Sequence, residues 1–242
     1  MTFDTTASNT GHISAACVCI QNELKKPLFW SACRHHVGEE LLSQVFADLN
    51  IEASRSPDIQ IFSRFCKHYH KLPQSYKLSQ LARFDAQMHS DEARRFLEQC
   101  RLQVLETSSQ VLQFKRDDYK EFIKLCDVFL NTEASDKVVT FKRPGTIHRA
   151  RWMSKVLYPI KICLLQEELW KEAKSTIATQ QQIKNLREFV LFATIIYSWW
   201  WLTCGSAADT PWNDLQLHRQ ILKYEVVTSK VSKSVFHALS RY

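Results

Sequence analysis

Three short segments hold residue types able to do chemistry. The first is Phe3-Asp4-Thr5-Thr6-Ala7-Ser8-Asn9-Thr10-Gly11. Asp4 ends a strand-like run, where a carboxylate projects past a sheet edge and suits a divalent cation. Two-metal phosphoryl transfer needs two or three such carboxylates converging, because Mg²⁺ takes oxygen ligands and keeps several waters. Taken alone, the same Asp-Thr-Thr also suits a turn or a helix cap. The second segment is Trp30-Ser31-Ala32-Cys33-Arg34-His35-His36. Cys33 and His36 would form half of a zinc site, but no second pair of suitable spacing lies nearby. The alternative is a buried thiol beside an imidazole that hydrogen-bonds to strand ends. Cys66-x-His68-x-His70 is a poor chelate, since residues two apart on a helix point to different sides. The third segment runs from Phe141 to Lys155 and gathers Lys142, Arg143, His148, Arg149, Arg151 and Lys155 around Trp152. Its cations would bind phosphates with salt-sensitive affinity, and the indole would add about 1–3 kcal/mol by stacking on an unpaired base. The alternative is a solvated basic turn with Trp152 packed inward beside Met153 and Val156.

The elements that position these segments can be read from periodicity. A short strand ending at Asp4 leads to a helix over Ile13–Leu24, with Ser8, Asn9 or Thr10 able to cap its free N–H groups. Leu28-Phe29-Trp30 reads as a second strand. Val37, Leu41, Leu42, Val45, Phe46 and Leu49 then recur at three and four, which predicts an amphipathic helix. Ile59, Ile61, Phe62, Phe65 and Tyr69 predict another, ended by Pro73. Further helices are expected over 92–106 and 117–130, followed by a polar break at 131–135 and an extended Val138–Phe141. Lys142-Arg143-Pro144-Gly145 makes a turn, and a helix starting near Ile147 meets Pro159, which would bend it. Pro211 marks the start of the last long helix, near Trp212–Val227.

Composition sets the outer bounds. The 242 residues are 45% apolar, enough for one large domain or two modest ones. Only 4 Gly and 6 Pro leave few turns, so a mainly α fold is expected. A net charge of +7 and a pI near 9.0 favour a polyanionic partner such as DNA. The 8 cysteines show no CxxC spacing and read as reduced thiols of a nuclear or cytoplasmic protein. No signal peptide is expected, and Phe189–Cys204 is shorter than the roughly 20 residues that span a bilayer. That run, with Trp199, Trp200 and Trp201 near its end, reads as a buried helix, and no membrane partner is expected.

In order and spacing, Phe3–Gly11, Cys33-x-x-His36, the long helical stretch and Ala150-Arg151-Trp152-Met153 together resemble the catalytic core of hAT-like DDE transposases. More closely, they resemble the transposase-derived proteins found in multiple copies in invertebrate genomes. The resemblance runs from Phe3 to at least Leu165 and extends towards Ser240. It implies a ribonuclease-H-like α/β core with an Asp on the first strand, a second Asp on the fourth, a Glu on a late helix, and a large helical insertion between them. By resemblance, Asp4 is the second acid, and Cys33 with His36 is the Cys-x-x-His that follows it. Arg151-Trp152 is similar to the Arg-Trp at the start of the insertion, where the indole supports a flipped base. Residues 1–36 would then be a partial ribonuclease-H-like core, 37–141 its helical region, and 142–242 an insertion-like helical domain.

The departures from the family pattern shape the functional expectation. Only Met1, Thr2 and Phe3 precede Asp4 where the first acid should lie, and Ser234–Tyr242 resembles the lead-in to the helix of the third. Glu168, Glu188 and Glu225 match no family context. One acid of three does not gather two metal ions, so the expectation is a truncated or degenerate fragment with no cleavage activity of its own and residual DNA binding. No cofactor is expected on the chain alone. Mg²⁺ or Mn²⁺ belongs to the intact family, with Asp4 a ligand only if the missing acids are supplied. The competing expectation is a domesticated helical module that binds DNA or a protein through Arg143, His148, Arg149, Arg151 and Trp152, with self-association left open.

Overall fold

The computed structural model describes residues 2–3, 9, 13–28, 31–52, 59–110, 116–132, 135–145, 154–173, 177–204 and 207–240. The fold is mainly α, as the scarcity of Gly and Pro implied. In chain order the described elements begin β1 (Thr2–Phe3), α1 (Ala16–Leu24), β2 (Ser31–Ala32), α2 (Arg34–Asp48) and α3 (Gln60–Tyr69). Next come β3 (Ser75–Lys77), α4 (Asp91–Gln110), α5 (Asp117–Leu130) and β4 (Val138–Thr140). The remainder is helical: α6 (Ser154–Leu164), α7 (Gln166–Ala173), α8 (Gln180–Phe192), α9 (Ser198–Leu202), α10 (Thr210–Tyr224) and α11 (Ser229–Leu239).

The apolar run Phe189–Cys204 forms the axis of the molecule. A π-helical turn over Ala193–Tyr197 joins α8 to α9, so the chain stays helical from Gln180 to Leu202. Every residue from Phe189 to Ser198 is buried. A helix that is apolar all round is stable only when neighbours cover every side. Here α4, α5, α6, α10 and α11 all pack against this axis. The buried Thr194 and Ser198 hydroxyls are satisfied locally: Thr194 Oγ1 donates to the Val190 carbonyl at 2.7 Å and Ser198 Oγ to the Thr194 carbonyl at 2.5 Å. No described helix is long and apolar enough to cross a membrane.

The helical stretch that carries this axis starts at a capping box. Thr179 Oγ1 accepts from the Gln182 N–H at 3.1 Å, and Gln182 Oε1 accepts from the Thr179 N–H at 2.9 Å. The amide nitrogens of Gln182 and Asn185 then donate to the carbonyls of Ile51 and Leu49, at 2.9 and 2.6 Å. Those carbonyls lie just past α2, where a helix end leaves acceptors without intrahelical donors.

Around the axis the predicted periodicities hold, with shifted ends. The 117–130 helix matches α5, and the 92–106 helix extends to Asp91–Gln110. The first helix starts at Ala16 rather than Ile13. The second strand falls on Ser31–Ala32, after Leu28-Phe29-Trp30, of which Phe29 and Trp30 lie outside the described residues. The last long helix, expected near Trp212–Val227, is α10 (Thr210–Tyr224), and Glu225–Thr228 turns the chain into α11. Helix α6 continues through Pro159. The proline's lost N–H bond is tolerated where residues on every face of the helix are packed.

The described strands form two separate pairs. β1 and β2 are parallel, Thr2 opposite Ser31 and Phe3 opposite Ala32. β3 and β4 are antiparallel, Ser75 opposite Thr140, Tyr76 opposite Val139 and Lys77 opposite Val138. One hydrophobic core joins Leu41 to Ala238 and includes residues on both sides of position 142, so packing runs across that expected boundary.

Candidate nucleic-acid interface

The segment that follows β4 carries the first two cations of the basic stretch. Five hydrogen bonds fix its backbone. The Phe141 N–H donates to the Gln74 carbonyl at 3.1 Å. Tyr69 Oη, from the end of α3, reaches the carbonyls of Phe141 and Lys142 at 3.1 and 3.3 Å. Lys161 Nζ, from the middle of α6, donates to the Lys142 carbonyl at 2.8 Å. Tyr158 Oη lies 3.4 Å from the Gly145 carbonyl. The Phe141 ring is buried beside Tyr76, with centroids 5.9 Å apart. The side chains of Lys142 and Arg143 remain exposed. With the Gln74 amide oxygen turned towards it, Arg143 donates to that oxygen through Nε at 3.0 Å and Nη2 at 2.6 Å.

Beneath this strap lies a buried ion pair. Lys161 Nζ stands 2.6 Å from Glu121 Oε1, with side-chain exposures of 0% and 5%. Burial lowers the Lys161 pKa, and the Glu121 carboxylate opposes that shift. Burial also pushes the Tyr69 hydroxyl up to about 12, helped by Tyr76 and Glu121 and opposed by Arg143. Removing water from a charge costs several kcal/mol, so such a pair persists only where its hydrogen bonds are satisfied. Lys161 meets that condition by bonding both Glu121 and the Lys142 carbonyl.

Cys33 and His36 sit on one turn at the start of α2. Cys33 is the N-cap residue, and its carbonyl accepts from the N–H groups of His36 and Val37 at 2.9 and 3.0 Å. The pairing of β1 with β2 leads directly into this turn. Among the described residues, no group of three or more His, Cys, Asp or Glu is arranged to hold a metal ion. Asp4, His148, Arg149, Arg151 and Trp152 lie outside the described residues. Of the expected DNA-contacting set, Arg143 is thus described, on an anchored and exposed strap.

Sequence reasoning passed over Arg34, between Cys33 and His36. Its guanidinium donates to Asp214 Oδ1 at 2.8 Å and to the Trp200 carbonyl at 2.9 Å, and bonds Asn213 Oδ1 as well. It also lies over the Trp200 ring, 4.0 Å from the centroid. Trp200 Nε1 donates to the same Asp214 oxygen at 2.7 Å. Arg34 therefore ties α2 to α9 and α10. Nothing local in the sequence signals this, because its partners lie about 180 residues away. Lys161 did carry a signal: it is the one charge within the apolar stretch Val156–Leu165, and such a charge is buried only with a partner.

Comparison with protein-family models, with characterised proteins and with solved structures finds no match to this chain.

Proposed function

We propose that this chain is a helical nucleic-acid-binding module of hAT-like transposase descent, working in the nucleus or cytoplasm without DNA cleavage of its own. The observation that carries the reading is the strap after β4. A buried Tyr69–Lys161–Glu121 cluster holds its carbonyls, while Lys142 and Arg143 stay exposed. A fixed backbone lowers the ordering cost of presenting cations to phosphates. The chain's net charge of +7 adds a sequence-independent attraction to polyanions. In this reading His148, Arg149 and Arg151 extend the contact, and Trp152 supports an unstacked base. Asp4 is the remaining acid of an ancestral ribonuclease-H-like site, following the β1 strand beside which Ser31–Ala32 pairs. A Mg²⁺ or Mn²⁺ pair for phosphoryl transfer would need two further acids beside it.

A salt titration of binding to duplex and single-stranded DNA tests the proposal. Four phosphate contacts, from Lys142, Arg143, Arg149 and Arg151, predict a log–log salt slope of roughly −3 to −4 on duplex. Each single Arg→Gln change should reduce that slope by about 1, with binding weakened alike for all sequences. Absence of duplex binding at low salt refutes the proposal. Divalent-dependent DNA cleavage that disappears in Asp4→Asn refutes its second half.

A further inference from the structure

An open cleft of about 850 Å³ lies between α4 and α10, away from the strap in sequence and built from different chemistry. Trp212, Gln216, Arg219 and Lys223 line it from α10 at intervals of four, three and four, so they form one stripe along that helix. Gln99 and Gln103 face them from α4. The stripe is about 16 Å long at 1.5 Å rise per residue, an extended track rather than a point site. Trp212 is 62% exposed, an unusual state for the largest apolar side chain. The Arg219 guanidinium lies over its ring, 5.6 Å from the centroid. Gln220 Oε1, also in the wall, is a buried acceptor with no hydrogen-bond partner among the described residues.

We infer that this cleft binds single-stranded nucleic acid, with a base stacked on Trp212 and the backbone phosphates on Arg219 and Lys223. Each group has a counterpart in that ligand. An exposed indole beside a guanidinium offers a flat platform of the kind on which bases stack. The amides of Gln99, Gln103 and Gln216 carry both donors and acceptors, as the edges of bases do. Arg219 and Lys223 against the single carboxylate of Asp209 give the lining a net positive charge. Duplex DNA keeps its bases stacked inside and has no free face for Trp212, so the single strand is the better fit. The inference extends the proposed function to a second contact surface but does not depend on the strap.

Fluorescence anisotropy with a labelled oligothymidylate of about 10 nucleotides tests it, since site sizes for single strands run to roughly that length. Trp212→Ala should weaken binding about tenfold, while Trp212→Phe, which keeps an aromatic face, should retain most of the affinity. Replacing both Arg219 and Lys223 by Gln should reduce the salt slope by about 1–2. Unchanged far-ultraviolet circular dichroism in each variant verifies that the fold is intact, as expected for exposed side chains. Lys142→Gln with Arg143→Gln serves as the separating control: it should weaken duplex binding and leave the Trp212 effect in place. Equal oligothymidylate affinity in wild type and Trp212→Ala overturns the inference, as does absence of oligothymidylate binding to the wild type at low salt. Duplex binding that fails while Trp212-dependent single-strand binding persists would refute the strap and uphold the cleft.

Discussion

At the scale of single residues, Lys161 holds the most consequential position. Its ammonium bonds Glu121 and the Lys142 carbonyl inside a core that excludes water. Replacing it with Met keeps the volume but strands the carboxylate, and breaking one side of a buried pair costs about 3–5 kcal/mol. Lys161→Met should therefore lower the urea midpoint strongly, and adding Glu121→Leu should recover most of the loss, because an apolar pair of similar volume has no charge to desolvate. Additive loss in the double variant would show that the two side chains are not coupled. Weakened duplex binding in Lys161→Met under conditions where it is still folded would link the pair to the strap above it.

At the scale of elements, the close contact of α2 with the central helix depends on Gly38. A β-carbon there would lie 3.0 Å from Tyr197 Oη and 3.1 Å from the Trp200 ring. Trp200 is 2% exposed and held by both Arg34 and Asp214, so it has little freedom to retreat. Gly38→Val should destabilise the fold by about 1–3 kcal/mol through overpacking, measured as a drop in urea midpoint with an unchanged slope. A neutral or stabilising result would show that α2 can slide outward. The strands illustrate what short elements conceal. Val138-Val139-Thr140 is recognisable as extended, but its partner Ser75–Lys77 is three residues long and lies some 60 residues away. A strand that short has too few positions to display alternation, and only its pairing defines it.

At the scale of the whole molecule, the core makes stability sensitive to alkali. Burial raises Tyr69 and Tyr76 to about 12 from an ordinary 10.0, and Cys100 and Cys163 to about 12 from 9.0. Cys126, Tyr197 and Tyr224 shift in the same direction for the same reason. In the window from about pH 9 to 12 the folded state therefore binds more protons than the unfolded state, and stability falls as pH rises. Lys161 and Lys155 act oppositely: burial lowers both, so their contribution grows with pH up to their ordinary 10.5. The acids outnumber them and dominate above pH 10. The urea midpoint should accordingly be near its maximum close to neutral pH and fall steadily beyond pH 10. A midpoint unchanged to pH 11 would mean that these thiols and phenols already meet water in the native state.

Local pattern accounts for the mainly helical character, most helix positions, the burial of Phe189–Ser198 and the exposure of Lys142 and Arg143. Those properties follow from period, breakers and hydrophobicity, which act over a few neighbouring residues. The tertiary structure decided which charges became internal, which helix formed the axis, and how Arg34 met Asp214. It also aligned the α10 stripe with Gln99 and Gln103 across a cleft. Each of these depends on residues far apart in the chain approaching within a few ångströms, and no local pattern encodes such a meeting.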